Sequence, residues 1–331
     1  MQKILECVPN FSEGRNSNVI AKISSAIDSV EGVKLLHVDA GESANRTVIS
    51  FAGKPDAVIQ AAFLAIKLAA ELIDMSSQSG THPRLGATDV CPLIPITGVT
   101  MEEVVAYSIE LAKRVGDELQ IPVYLYEYSQ QVAKRKNLAR IREGENEGMF
   151  QKIKLPEWKP DFGPEQLSIG AGATVIGARK YLIAYNINLN TKSVKLANEI
   201  AKKVRESGYV NNGQRHKGKL KHVKAIGWFN HELDCAQVSM NVIDFQKTPI
   251  YQVYEEVKAC AQYLGVDVNG SELIGLIPLE ALLKAGEYYF LKQNDKIFVS
   301  EAEIINVAVK NLGLSNLSNF DAKKRVIEFV L

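Results

Sequence analysis

One alternation of strand and helix patterns is written twice along this chain, and that repetition constrains the fold more than any other feature. In the first copy "KILECVPN" (3–10) reads as a strand and "NVIAKISSAIDSV" (18–30) places apolar residues at helical spacing. "VKLLHVDA" (33–40) and "NRTVISFAG" (45–53) read as strands bounded by Gly41 and Gly53. Lys54-Pro55 opens an apolar helix to Asp74, with proline suited to a first turn, and "TDVCPLIPI" (88–96) is a fourth strand. In the second copy the strand "YLIAYNINLN" (181–190) leads into the helix "TKSVKLANEIAKKVRESG" (191–208). The strands "HVKAIGWF" (222–229) and "CAQVSMNVIDF" (235–245), the helix "YQVYEEVKACAQYLG" (251–265) and the strand "SELIGLIPL" (271–279) complete it. Each copy is β-α-β-β-α-β, the split βαβ order of ferredoxin-like folds. The expectation is an α/β (α+β) chain of two ferredoxin-like subdomains, 1–178 and 179–331.

Between the copies Thr100 and Glu103 form a capping-box pattern for a helix to about Gly116, and "VYLYEY" (123–128) adds a strand. Residues 129–180 are rich in charge, Pro and Gly and weakly periodic, as in a linker or a functional loop. Lys and Arg number 39 against 38 Asp and Glu, so no global field holds nucleic acid or a membrane surface. The apolar run "DAVIQAAFLAIKLAAELI" is interrupted by Gln60, Lys67 and Glu71 and reads as a buried helix. Cys7, Cys91, Cys235 and Cys260 lack metal-type spacing and read as buried free thiols in a reducing compartment. With no signal-peptide pattern at the start, a cytoplasmic protein is expected.

Period-two alternation shows what the open face of a split βαβ sheet carries. In the second copy Asn186, Asn188 and Asn190 fall on one face of their strand, and Gln237, Ser239 and Asn241 on one face of theirs. Asparagine is a poor strand former, so a ligand-facing surface competes with an ordinary wet one. In the first copy Asn10 and Arg46 fall at strand ends. His82, between Thr81 and Pro83 and near Arg84, reads either as a base held neutral by the guanidinium or as a turn histidine. Asp39 and Arg46 either orient a base and grip a substrate or close a hairpin as a structural pair. No close metal-ligand motif is present, so no metal is expected. "SIGAGATVIGAR" (168–179) has neither phosphate-loop pattern and suits close backbone approach to a flat ligand. "GQRHKGKLKHVK" (213–224) is solvated charge or a site for an extended polyanion.

Taken together, "ECVPNFSEG", "VDAGESANRTV", "ELIDMS", "HPRLGATDVCPLIPITGVTMEE", "PVYLY", "DFGPEQLSIGAGATVIGARKYLIAYNINL", "IGWF", "AQVSMNVIDF", "YEEV" and "AKKRVIEFVL" resemble the formiminotransferase domain family along nearly the whole chain. The resemblance implies a homodimer of two-subdomain chains with a substrate cleft between the subdomains. It also implies transfer of a formimino group from N-formimino-L-glutamate to N5 of tetrahydrofolate, the co-substrate, in histidine degradation. The family's proton acceptor falls on His82, at the mouth of that cleft. Its folate-binding stretch falls on Gly163, Pro164, Glu165, Gln166, Leu167, Ser168, Ile169, Gly170, Ala171 and Gly172. On that reading Asp39 orients His82 or binds the amidinium, and Arg46 and Arg84 hold carboxylates. Asn10, Asn186, Asn188 and Asn241 address pterin or substrate, and the basic loop receives a polyglutamate tail. A separate cyclodeaminase is expected to take the product. Alternatives are another formimino or formyl donor, and a folate-binding protein without catalysis.

Overall fold

The computed structural model describes residues 3–293, 300–317 and 319–331. The chain divides into two compact units, Met1–Lys180 and Tyr181–Leu331. None of the described helices is long and apolar enough to cross a membrane.

The first unit opens with β1 (Ile4–Cys7) and β2 (Asn10–Phe11), then α1 (Ser17–Asp28), β3 (Val33–Gly41), β4 (Arg46–Gly53), α2 (Pro55–Leu72) and β5 (Thr88–Thr97). The single strand expected over 3–10 is broken because Pro9 has no N–H for the ladder. The Pro9 carbonyl still accepts from Ile49 at 3.1 Å, so the two pieces stay in one sheet position. That position lies between β4 and β5, antiparallel to both, and β3 forms the edge beyond β4. Leu5, Cys7, Ile49, Phe51, Cys91 and Leu93 face α1, α2 and the next helix, and this is the unit's main core.

After β5 comes α3 (Met101–Leu119), whose Thr100–Glu103 capping box forms as expected. Then follow β6 (Val123–Leu125), α4 (Leu138–Ile141), α5 (Glu145–Lys152) and β7 (Thr174–Ala178). The segment 129–180, expected to be a linker or functional loop, therefore holds a buried strand. β7 runs parallel between β5 and β6 and widens the sheet. Five residues, one of them Gly177, give too short a run to announce themselves by periodicity. α4 and α5 lie over the second face, where Tyr124, Tyr126, Val90 and Val175 join Ile141, Met149 and Ile153 in a smaller core.

The second unit comprises β8 (Ile183–Leu189), α6 (Val194–Val204), the short hairpin β9 (Tyr209–Asn211) and β10 (Gln214–His216), β11 (Val223–Asn230), β12 (Cys235–Val242), α7 (Ile250–Tyr263), β13 (Val268–Ile274), α8 (Leu279–Gln293) and α9 (Glu301–Asn311). The expected basic loop thus forms part of a hairpin rather than an irregular stretch. The sheet order is β11-β12-β8-β13, all neighbours antiparallel. The first unit places its corresponding strands in the same relative order, so the repeat read from the sequence is a repeat of topology. Tyr185, Ile187, Val238 and Met240 alternate inward against Ala197, Ile200, Val253 and Val257 of α6 and α7. The same alternation sends Asn186, Asn188 and Gln237 to the opposite face.

Candidate active site

His82 sits on the loop between α2 and β5, and that loop is pinned from several directions. Thr81 donates through its N–H and its hydroxyl to the Ser43 carbonyl in the β3–β4 turn, at 3.3 and 3.1 Å. Asn45 in the same turn accepts from the Gly14 N–H and donates to the Ser79 carbonyl. Behind His82, the Asn146 amide of α5 donates to the Leu85 carbonyl at 2.7 Å. The Ala173 N–H donates to that carbonyl as well, at 3.2 Å. Gly172 lies against this segment with φ +68°, and a Cβ there would stand 2.4 Å from the Leu85 oxygen, so glycine is required. The stretch 163–172 that the resemblance assigns to folate is therefore packed against the loop that carries the imidazole. Met75 N–H to Gly170 carbonyl, 2.8 Å, and Ala87 N–H to Ala171 carbonyl, 2.9 Å, complete the contact. Within this stretch Leu167 is buried, Ile169 is exposed, and Glu165 pairs with Lys159 at 2.9 Å.

The imidazole Nδ1 lies 2.7 Å from the Pro83 carbonyl oxygen. A carbonyl can only accept, so Nδ1 carries the hydrogen and Nε2 keeps its lone pair. The surrounding protein, and then the guanidiniums of Arg46 and Arg142, hold the ring's pKa well below the ordinary histidine value, while Asp89 opposes them. His82 is thus neutral at cellular pH, with a basic nitrogen in place.

Asp89 organises the charges. It is fully buried at the start of β5 and accepts from the Leu85 N–H at 2.9 Å. Arg46 Nη1 pairs with its Oδ2 at 2.6 Å, and Arg142, just beyond α4, contacts both its oxygens. Burial alone would raise the carboxyl, but Arg142 and Arg46 outweigh it and bring its pKa down to about 2. Arg46 also donates to Asn10 Oδ1 through Nε and Nη2, at 3.2 and 2.9 Å. Burial lowers this guanidinium to about 10 against the pull of Asp89.

The structure thus brings Asn10 and Arg46 together in the charge cluster that acts on His82. Arg46, expected to hold a substrate carboxylate, is already matched by Asp89. Arg84 is likewise engaged by the chain's own acids: its Nη atoms meet Glu145 at 2.6 Å and Glu147 at 2.7 Å, and its Nε meets Gln78 at 2.7 Å. It braces the loop against α5. Asp39 lies on edge strand β3 with Oδ2 3.7 Å from His37 Nε2. In the second unit Asn186 and Asn188 are buried members of a hydrogen-bonded network with Gln237 and Glu272, and Asn241 is exposed on β12. Asp89, Arg142, Glu145, Glu147 and Glu272 carried no motif signal of their own.

Glu6 was missed for the same reason. It is fully buried on β1, between Ala52 and Ile94, and neither carboxylate oxygen has a hydrogen-bond partner among the described residues. Burial raises its pKa to about 8 despite the pull of Arg179. Between its ordinary value of 4.5 and that one, the folded state holds a proton that the unfolded chain has released. Stability therefore falls as pH rises through this window and is level above it. Glu6→Gln removes that loss. Its melting temperature relative to wild type should climb by several degrees from about pH 5 to pH 8 and then stay constant. A difference independent of pH would contradict the assignment.

Sequence comparison adds a second line of evidence. The family described as "Formiminotransferase domain, N-terminal subdomain" matches residues 4–179, and "Formiminotransferase domain" matches residues 184–331. A protein of Streptococcus pyogenes serotype M1 named glutamate formimidoyltransferase is 44% identical over 289 residues, covering 87% of this chain and 94% of its own. One of the same name from Thermoplasma acidophilum is 43% identical, covering 86% and 92%. The formimidoyltransferase-cyclodeaminase of Dictyostelium discoideum is 48% identical over all of this chain but only 61% of its own length. The chain spans about 60% of the vertebrate proteins of that name. With both halves matched in order over nearly their full extent, the chain belongs to the formiminotransferase domain family.

Proposed function

We propose that the chain is a glutamate formimidoyltransferase, moving the formimino group of N-formimino-L-glutamate to N5 of tetrahydrofolate and releasing L-glutamate. The observation that carries this reading is a neutral imidazole, Nδ1–H fixed on a carbonyl, standing on a loop packed against the 163–172 stretch. The likeness to two proteins bearing that name supports it.

The chemistry asks little more of the protein than placement and a base. N5 attacks the amidine carbon, forms the new C–N bond and becomes cationic. His82 Nε2 takes the N5 proton, which prevents the tetrahedral adduct from falling back. The adduct then expels the glutamate nitrogen as that nitrogen is protonated, and the imidazolium can supply the proton. Protons balance over the cycle, and no covalent intermediate with the protein is needed because two bound reactants already remove much of the barrier. The same reading carries a cytoplasmic homodimer, and four buried, unpaired thiols support a reducing compartment.

Purified protein incubated with formiminoglutamate and tetrahydrofolate should release glutamate in step with 5-formiminotetrahydrofolate. Formiminoglycine, offered in competition, should be a poor donor. Stoichiometric folate binding without glutamate release would replace this reading with a non-catalytic one.

A further inference from the structure

The helical side of the second unit's sheet, opposite the amides of β8 and β12, holds a cavity of its own. It is formed by α6, α7 and the β9–β10 hairpin and has a volume of about 500 Å³, room for a molecule of nucleotide size. Backbone bonds fix its walls. The N–H groups of Lys219 and Leu220 donate to the carbonyls of Lys203 and Val204, both at 2.9 Å, and tie the segment after the hairpin to the end of α6. Gly218 allows this approach, since a Cβ there would stand 1.8 Å from the Arg205 oxygen. The same two bonds cap carbonyls at the end of α6. The N–H groups of Leu264, Gly265 and Val266 cap those of Cys260, Ala261 and Gln262 at the end of α7. The negative ends of both helices are thereby spent on the chain itself.

Two kinds of side chain line the cavity. Tyr209 and His216 stack across the hairpin, with ring centroids 4.9 Å apart and planes 14° from parallel. Tyr263, at the end of α7, is 82% exposed, so most of its ring is open to a ligand. The cations are Lys203, Lys217 and Lys219. Lys203 Nζ stands 4.7 Å from the centroid of the Tyr263 ring, which places positive charge beside an aromatic face. Lys219 is paired with Glu256, whereas Lys203 and Lys217 form no ion pair among the described residues. No carboxylate lines the cavity among those residues. Lysines alone describe a wet surface. Lysines beside flat rings combine the two elements that hold a nucleotide, a cation for phosphate and a face for the base.

We infer that this cavity binds a nucleoside polyphosphate, with its base on the aromatic rings and its phosphates on Lys203, Lys217 and Lys219. A polyglutamate tail, expected for this basic loop, brings charge but no ring, and it would leave Tyr263 and the Tyr209–His216 stack unused. The bounded cavity and the near-zero net charge of the chain favour a single nucleotide over a long nucleic acid. No residue of the cavity belongs to the unit that carries His82, so the inference does not depend on the transferase reading.

Calorimetric titration of the full chain in magnesium-free buffer tests it, with ATP, tripolyphosphate, γ-linked triglutamate and a single-stranded oligonucleotide as separate probes. ATP should bind about 10- to 100-fold more tightly than tripolyphosphate, the range for stacking one base on aromatic side chains. It should exceed triglutamate by at least as much. Tyr263→Ala should remove most of this preference and leave tripolyphosphate affinity unchanged. Lys217→Glu should weaken ATP and tripolyphosphate alike, by about 10-fold. Both side chains are exposed, so neither change threatens the fold, and the wild-type comparison needs no variant. Saturating tetrahydrofolate should leave ATP affinity unchanged. Absence of ATP binding overturns the inference, as does equal affinity for ATP and tripolyphosphate or a preference that survives Tyr263→Ala. Displacement of ATP by tetrahydrofolate would put the nucleotide in the transferase's own site, and triglutamate binding as tightly as ATP would make this a polyanion site. An oligonucleotide that outcompetes ATP would make it a nucleic-acid surface. Each of these three results also overturns the inference.

Discussion

Turnover of His82→Ala will fall by about 10²- to 10⁴-fold, with melting temperature and both substrate affinities close to wild type. That factor is what one positioned proton acceptor ordinarily supplies. The sharper signature is in the pH profile. The ring's pKa is held well below 6.5 by the protein around it and by Arg46 and Arg142, so Nε2 keeps its lone pair where an ordinary histidine would be protonated. A base is active above its pKa, so the wild-type rate should stay on a plateau as pH drops through the ordinary histidine value and bend only below it. In His82→Ala the bend should disappear and added imidazole should restore part of the rate. Near-normal turnover in the variant would end the role given to His82. A wild-type rate already halved near pH 6.5 would show that the guanidiniums do not act on the ring.

The sequence displayed the repeated order of elements because each helix and strand carries its own period, and the capping box at Thr100 even marked a boundary. It displayed His82 because threonine, proline and arginine crowd it within four residues. What surrounds the ring was hidden by distance along the chain. Arg142 reaches Asp89 across 53 positions, and Glu147 reaches Arg84 across 63. Both come from the segment whose charge and glycine content read as a loop, since acids and bases on short surface-like helices look alike whether they are solvated or paired. The amides of β8 and β12 were legible as a shared face because strands alternate strictly. Glu272 was not, because "SELIGLI" has one acid among apolar residues and nothing local says that its carboxylate meets Asn186 and Gln237. Arg84 shows the converse. Its place in the motif pointed to a substrate carboxylate, but only the fold reveals that Glu145 and Glu147 already occupy its guanidinium.

Asp89→Asn should be the most destabilising conservative change in the first unit. Asparagine keeps the shape and can still accept from the Leu85 N–H, so the loss isolates the charge. Without it, Arg46 and Arg142, 7% and 14% exposed, are left as two neighbouring cations with no buried counter-charge. Breaking a buried pair in this way costs about 3–5 kcal/mol, which lowers the melting temperature by about 4–7 °C in a chain of this size. Lys192→Met, which breaks a pair whose partners are 69% and 65% exposed, should melt with wild type. The defect also has a required pH dependence. The Asp89 carboxyl is depressed from 3.8 to about 2, so its contribution is complete above the ordinary value and is lost as pH falls toward the depressed one. The gap between Asp89→Asn and wild type should therefore be constant from about pH 7 to 5 and narrow between about pH 4 and 2, as wild type itself loses the charge. Activity should follow the same cluster. With Asp89 neutral, both guanidiniums act on His82 unopposed and push its pKa lower still, weakening the base while Arg46 loses the partner that holds it beside Asn10. A stability gap that stays fixed down to pH 2 would mean that the aspartate serves only as a hydrogen-bond acceptor, and the electrostatic account of the histidine would lose its anchor.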